Sequence, residues 1–179
     1  MRNKLSIAAA ALLLATACAT TPDTPAQRRS LEANADATLE TMTARDPGLN
    51  QVLAQATGYA VFPSIGKGGF LAGGAHGIGV VYERGKPVGY AELHQASIGA
   101  QLGGQTFSEI IVFRDQRGLD RLKADNFDVG GDMSAVAITA GAAAGAQFER
   151  GVAVFVLPRG GLMVDLSVHG QQIDFQPKS

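Results

Sequence analysis

The side chains of this 179-residue chain that could do chemistry fall into four groups: a lysine among glycines, three histidines, a run of arginines and one cysteine. Lys67 stands in Gly66-Lys67-Gly68-Gly69, where an ammonium and backbone N–H groups could meet a phosphate. A nucleotide P-loop needs a hydroxyl residue directly after its lysine to reach the metal ion, and glycine stands there instead. Gly74-Ala75-His76-Gly77-Ile78-Gly79 lacks the order and the strand-to-helix context of a dinucleotide fingerprint. His76, His94 and His169 are far apart along the chain and none has metal-ligand spacing, so they read as partly exposed strand residues and no metal site is expected. Arg114, Arg117 and Arg121, with Lys123 nearby, recur at three- and four-residue intervals, which puts them on one side of a short helix. Guanidinium groups so placed suit lipid phosphates, which they bind in a bidentate way, although Asp115, Asp120 and Asp125 interleave with them and dilute the field. No serine lies in a nucleophile elbow, and Asp125 with Asp128 reads as loop rather than as an acid/base couple. Neither an enzyme nor a cofactor is called for.

The cysteine sits in the most informative stretch. Arg2 and Lys4 form a basic start, Leu5 to Ala15 an apolar run, and Leu14-Ala15-Thr16-Ala17 a small-residue cleavage site directly before Cys18. A secretory leader ends in this way. The run is too short to cross roughly 30 Å of hydrocarbon as a helix. A lone cysteine just after such a site resembles a bacterial lipobox, although Ala15 stands where leucine is usual. The resemblance implies a signal peptide over 1–17 and a Cys18 that becomes the lipidated first residue, carrying palmitate-type acyl chains. An ordinary signal peptide with an incidental cysteine is the other reading. Ala19, where Asp would favour the inner membrane in the sorting pattern this resembles, points to a periplasm-facing anchor in the outer membrane.

These groups need a scaffold, and composition bounds it. Without residues 1–17 the chain is long enough for one domain with a real core. Its net charge moves from −1 to −3, because the leader holds two bases and no acid. Nucleic-acid binding is excluded by that balance, which lacks the required basic excess. With one cysteine there is no intrachain disulfide, so packing alone holds the fold. Residues 18–27, with two prolines, read as a lipidated N-terminus and tether. Residues 28–179 read as a single domain.

Leu31, Ala35, Leu39 and Met42 predict a helix over 28–44, and Asp46-Pro47 predicts the start of a second one with Leu49, Val52 and Leu53 inward. From Tyr59 the period becomes two. Strands are predicted at Tyr59–Phe62, ended by Pro63, then at Phe70–Glu83, Pro87–Leu93, Ser97–Gln105, Phe107–Phe113, Val152–Leu157 and Leu162–His169. Turns are expected at Arg84-Gly85-Lys86 and at Pro158 to Gly161. A short helix is expected over 116–124, capped by Asp115 with Leu119 and Leu122 inward. The run Val136–Ala146 has no clear period. The fold class is α+β: two N-terminal helices, then a predominantly antiparallel, glycine-rich β domain with one short inserted helix. Thirteen of the 23 glycines fall between Gly58 and Gly104, for close packing or for an acyl chain against bare backbone.

The blocks Gly58-Tyr59-Ala60-Val61-Phe62-Pro63, Gly66 to Phe70, Gly73 to Val80, Ala96 to Gln105 and Gly160-Gly161-Leu162 are similar to those of the SYLF domain, a family of lipid-binding modules. The resemblance spans roughly 30–175. It implies a lipid-binding role, with Arg28, Arg29, Lys67, Arg114, Arg117 and Arg121 as candidate phospholipid contacts. Eukaryotic members carry a tryptophan after the first hairpin, where this chain reads Val88 to His94 without one, and a basic N-terminal segment that is reduced here to Arg28 and Arg29. Actin, a partner of some members, is not expected for a secreted bacterial chain. The expected function is therefore a membrane-anchored lipoprotein that binds phospholipid, by head group or acyl chain, at the bacterial envelope. The alternative is a structural or protein-interaction lipoprotein of the outer membrane with an envelope protein as partner and no small ligand.

Overall fold

A computed structural model describes residues 21–69, 72–98, 103–125, 127–130, 135–161, 168 and 170–178. The leader, Cys18 and most of the strand expected over 162–169 lie outside those residues. Two helices, α1 (Pro25–Arg45) and α2 (Gly48–Gln55), precede β1 (Gly58–Gly69), β2 (Ala72–Glu83), β3 (Lys86–Ile98) and β4 (Gly103–Phe113). Then come α3 (Gln116–Lys123), β5 (Phe127–Val129), β6 (Ala135–Ala137), a 3-10 turn at Ala143–Gly145, β7 (Val152–Gly161) and β8 (Gln171–Pro177). The strands form one sheet in the order β5-β8-β3-β2-β1-β4-β7-β6. Every pairing is antiparallel except β6 with β7.

The sheet is strongly curled. Gln171 on β8 donates to Glu109 on β4 at 3.0 Å, although β3, β2 and β1 lie between them. Four strand steps in a flat sheet would separate them by roughly 19 Å. Curling gives the sheet an inside and an outside. Inside, Phe62, Ile65, Leu93, Phe107, Ile111, Val154 and Ile173 pack with Leu119 and Leu122 of α3. Outside, Val61, Val80, Tyr90, Ile110, Val112 and Phe155 pack with Ala35 and Met42 of α1 and Leu49 of α2. Both faces of β4 and β7 are thus buried, which is why Ile110–Phe113 and Val152–Leu157 are continuous apolar runs. Each fully buried side chain of Leu or Phe size adds about 1.5–3 kcal/mol.

Several boundaries differ from expectation, for identifiable reasons. Helix α1 begins at Pro25, inside the stretch read as tether: proline suits the first helical position, and Thr24 with Gln27 forms a reciprocal capping box. Its apolar stripe is narrow, so hydrogen bonds help dock it. Tyr82 Oη donates to Asp36 at 2.9 Å and Tyr90 Oη to Glu32 at 2.7 Å. β1 runs through Pro63 instead of ending there, because the register slips between Val61 and Ser64 and a bulge does not need the missing N–H. The freed Pro63 carbonyl accepts from Ser108 Oγ at 2.7 Å and from Arg159 Nη1 at 2.8 Å. Pro158 to Gly161 is not a turn: β7 continues to Gly161, with Arg159 as an extra residue against β4. The Ser97–Gln105 stretch is divided between the end of β3 and the start of β4. β5, β6 and β8 have no counterpart among the predicted strands.

Candidate binding site at the glycine-rich end of the sheet

Strand parity places the polar residues of the inner face. Ile65, Leu93, Phe107 and Ile173 point inward, so Lys67, Gln95, Gln105 and Gln171, each two residues away, do the same. Register then aligns them. Gln171 pairs with Gln95, Gln95 with Ala75, Ala75 with Lys67 and Lys67 with Gln105. One row across five strands therefore carries three amides and an ammonium on the concave side. All four are buried; Lys67 is 6% exposed. Lys67, Gln95 and Gln105 are each engaged within the protein. The row lies at the end of the sheet where the glycine-rich parts of β1, β2, β3 and β4 meet.

Glu109 lies one inward position beyond Phe107, fully buried. Burial pushes its carboxyl up to about 7, against the opposing effect of the bond from Gln171. Among the described residues, Glu109 Oε1 and Gln171 Oε1 have no hydrogen-bond partner. Leaving such atoms dry costs about 1–3 kcal/mol each, a cost a polar ligand would relieve. The row offers N–H donors suited to phosphate oxygens, and Glu109, neutral at or below its raised pKa, offers one more donor.

The glycines do not open a trough beneath this row. A Cβ at Gly79 would lie 2.6 Å from Val61 O and 2.7 Å from the Phe62 ring, and one at Gly77 2.6 Å from Ile65. Their space is filled by core side chains, so at these positions glycine serves close packing.

The six residues expected to contact phospholipid are not brought together. Lys67 is inside the sheet. Arg28 stands 5.6 Å over Tyr90, with its Nε donating to Pro22 O at 3.1 Å. Arg114 lies 3.8 Å over Phe148 and Arg121 5.6 Å over Phe127. Arg29 and Arg117 are exposed. Arg114 does not belong to the helix face read from its spacing: it precedes the N-cap Asp115, whose side chain accepts from Gly118 N. Three arginines thus stack on three different rings, and α3 itself carries only Arg117 and Arg121. Lys123 is paired with Glu83 at 2.6 Å.

Gln95, Gln105, Glu109 and Gln171 were not singled out from sequence. A signal was present: Glu109 is the one ionisable residue within Phe107–Phe113. The fold also pairs His76 with His94 across β2 and β3, with Glu92 against both, a grouping their linear separation hides. His169 lies outside the described residues.

Comparison with known proteins matches the C-terminal part of the chain, which holds the blocks Ala96 to Gln105 and Gly160-Gly161-Leu162. Residues 94–178 match the Ysc84 family, described as Las17-binding protein actin regulator. Beta cell expansion factor A of Aeromonas veronii is 26% identical over 147 residues, which cover 81% of this chain and 56% of that protein. The chain thus spans little more than half the length of this curated relative. Residues 94–178, which hold Gln95, Gln105, Glu109 and Gln171 but not Lys67, are thus similar to the Ysc84, or SYLF-domain, family.

Proposed function

We propose that this chain is a phospholipid-binding module moored to the outer membrane of a bacterium by a lipidated Cys18, with the concave polar row taking the head group. The observation that carries the reading is the registered line of Gln171, Gln95, Lys67 and Gln105, buried above an apolar interior. An amphiphile needs that pairing of surfaces, and the lipid-binding role implied by the family resemblance agrees with it. No helix among the described residues is long and apolar enough to cross a membrane; the attachment in this reading is the acylated cysteine. A single acyl chain holds marginally, whereas two or more hold stably.

The anchor and the domain must be separated by experiment. The described cores begin at Leu31, so a chain starting at Ala19 keeps everything they use and loses the anchor. We expect it to float with vesicles of phosphatidylethanolamine and phosphatidylglycerol at low salt. Lys67→Met should weaken this by about tenfold, the worth of one charge-assisted hydrogen bond of about 1.5 kcal/mol. Failure to float would remove direct lipid binding and leave only the anchor. The description of the family as Las17-binding favours the second reading, an envelope protein as partner. Crosslinked protein partners in cells, combined with no flotation, would select it.

A further inference from the structure

We propose that His76, Glu92 and His94 form a binding site for a divalent transition-metal ion on the convex face of the sheet, independent of the lipid reading. His76 and His94 are directly opposite in the β2–β3 ladder, and their rings are 5.0 Å apart between centroids. Glu92 lies two residues before His94, on the same face. Its Oε1 is 2.9 Å from His76 Nε2 and 3.2 Å from His94 Nε2. One ligand atom from each residue falls within 4.8 Å of the other two.

These separations match what a small ion demands. Tetrahedral Zn2+ holds its ligands at about 2.0–2.1 Å, which puts neighbouring ligand atoms about 3.3 Å apart. Two edges of that tetrahedron are therefore nearly present already, and the third needs only a small rotation of an imidazole. Glu92 Oε1 is now within hydrogen-bond distance of His76 Nε2 and lies 3.2 Å from His94 Nε2. With an ion bound, each Nε2 would turn its lone pair to the metal and carry its proton on Nδ1 instead. Two imidazoles and one carboxylate suit zinc, copper or nickel and are poor for magnesium, which prefers oxygen ligands. Three protein ligands leave a fourth position for water or an exogenous ligand. The side chains are 36%, 20% and 48% exposed for His76, Glu92 and His94, so an ion can reach them. The backbone beneath is a paired strand in the middle of the sheet, which fixes the spacing. An ion here would clip β2 to β3 near their glycine-rich ends.

The test uses the full chain in detergent, carrying Cys18→Ser so that no thiol competes. Isothermal titration with Zn2+ should show one site per chain, on the order of micromolar affinity or tighter, and Mg2+ should give no signal. His76→Ala and His94→Ala should each weaken zinc binding by at least about 100-fold, more than loss of an outer-shell partner would cause. His169→Ala should leave it unchanged. His94→Gln, which keeps the bulk, replaces the alanine variant if circular dichroism shows that variant unfolded. Absence of zinc uptake, wild-type affinity in the His94 variants, or an equal loss in His169→Ala would each overturn the proposal.

Discussion

Glu109 shows how much one residue can carry. It is a fully buried acid on the inner face, beside Gln171 of the polar row, and its carboxyl is raised from 4.5 to about 7. In the unfolded chain the same group would lose its proton near the ordinary value. Between about 4.5 and 7 the folded state therefore binds more protons, and stability falls as pH rises through that window. Its contribution is fully present below 4.5 and lost above 7, a difference of about 3 kcal/mol. Glu109→Gln removes the titration. We expect urea unfolding to give similar stability for both proteins at pH 4.5, and a variant more stable than wild type by a few kcal/mol at pH 8. A wild type whose stability does not change across that window would show that the carboxyl is not dry. The raised value also means that near neutral pH Glu109 can face Gln171 either as donor or as acceptor.

At the scale of elements, Asp46 connects parts that sequence treats separately. The sequence predicts it as the cap of α2, but that helix starts at Gly48 with Pro47 as its N-cap and Asp46 ends α1; its carboxylate accepts from Gly48 N at 3.0 Å. The same carboxylate also accepts from Ala143 N at 2.6 Å and Gly141 N at 3.3 Å, nearly a hundred residues on. It is 1% exposed, so the α1–α2 corner and the 3-10 turn are joined through one buried anion. Asp46→Ala would leave several backbone N–H groups unsatisfied. A loss of about 3 kcal/mol is expected, read from the midpoint of chemical unfolding. Asp46→Asn, which keeps one acceptor oxygen, should lose less. Equal losses for the two variants would mean that one retained acceptor oxygen recovers nothing and that both carboxylate oxygens are needed. Elsewhere the hairpin between β2 and β3 turns on Arg84 and Gly85, both with positive φ, the combination a two-residue type I′ turn demands.

For the whole molecule, the curl of the sheet depends on its last strand. β8 joins β5 to β3, sends Gln171 across to Glu109, places Ile173 in the inner core and is followed by Lys178, which meets Glu32 of α1 at 2.6 Å. One C-terminal segment thus touches both faces of the domain. Ending the chain at Gly170 should lower stability by more than about 3 kcal/mol, from the loss of Ile173 and Phe175 burial alone. It should also expose the edge of β3 to pairing with other chains. Broad, low-temperature melting with concentration-dependent aggregation is the expected result, followed by calorimetry and light scattering. A sharp, monomeric transition at the wild-type temperature would show that the curl is set by the first four strands. In the full chain the sheet ends in β5 and β6, three residues each, and such short edges give little template for association.

What the sequence determined by itself is what depends on near neighbours. The cap at Asp115, the inward Leu119 and Leu122, the apolar runs of β4 and β7 and the turn at Arg84-Gly85 all rest on contacts within a few residues, and a period of 2 or 3.6 reveals them. The α+β class follows from the change of period at Tyr59. Tertiary structure decided which side chains meet. Between Val81 and Tyr82 the partner on β3 jumps from Gly89 to Pro87, with Val88 as the extra residue. That single bulge sets His76 opposite His94. Without it the register would place Leu93 there and turn the histidine to the other side, because a shift of one residue reverses every side chain beyond it. The polar row likewise depends on four separate registers, and the bond from Gln171 to Glu109 on a curl that brings strands four places apart into contact. Composition and period describe each strand alone; its alignment with the next is set by packing of the whole sheet.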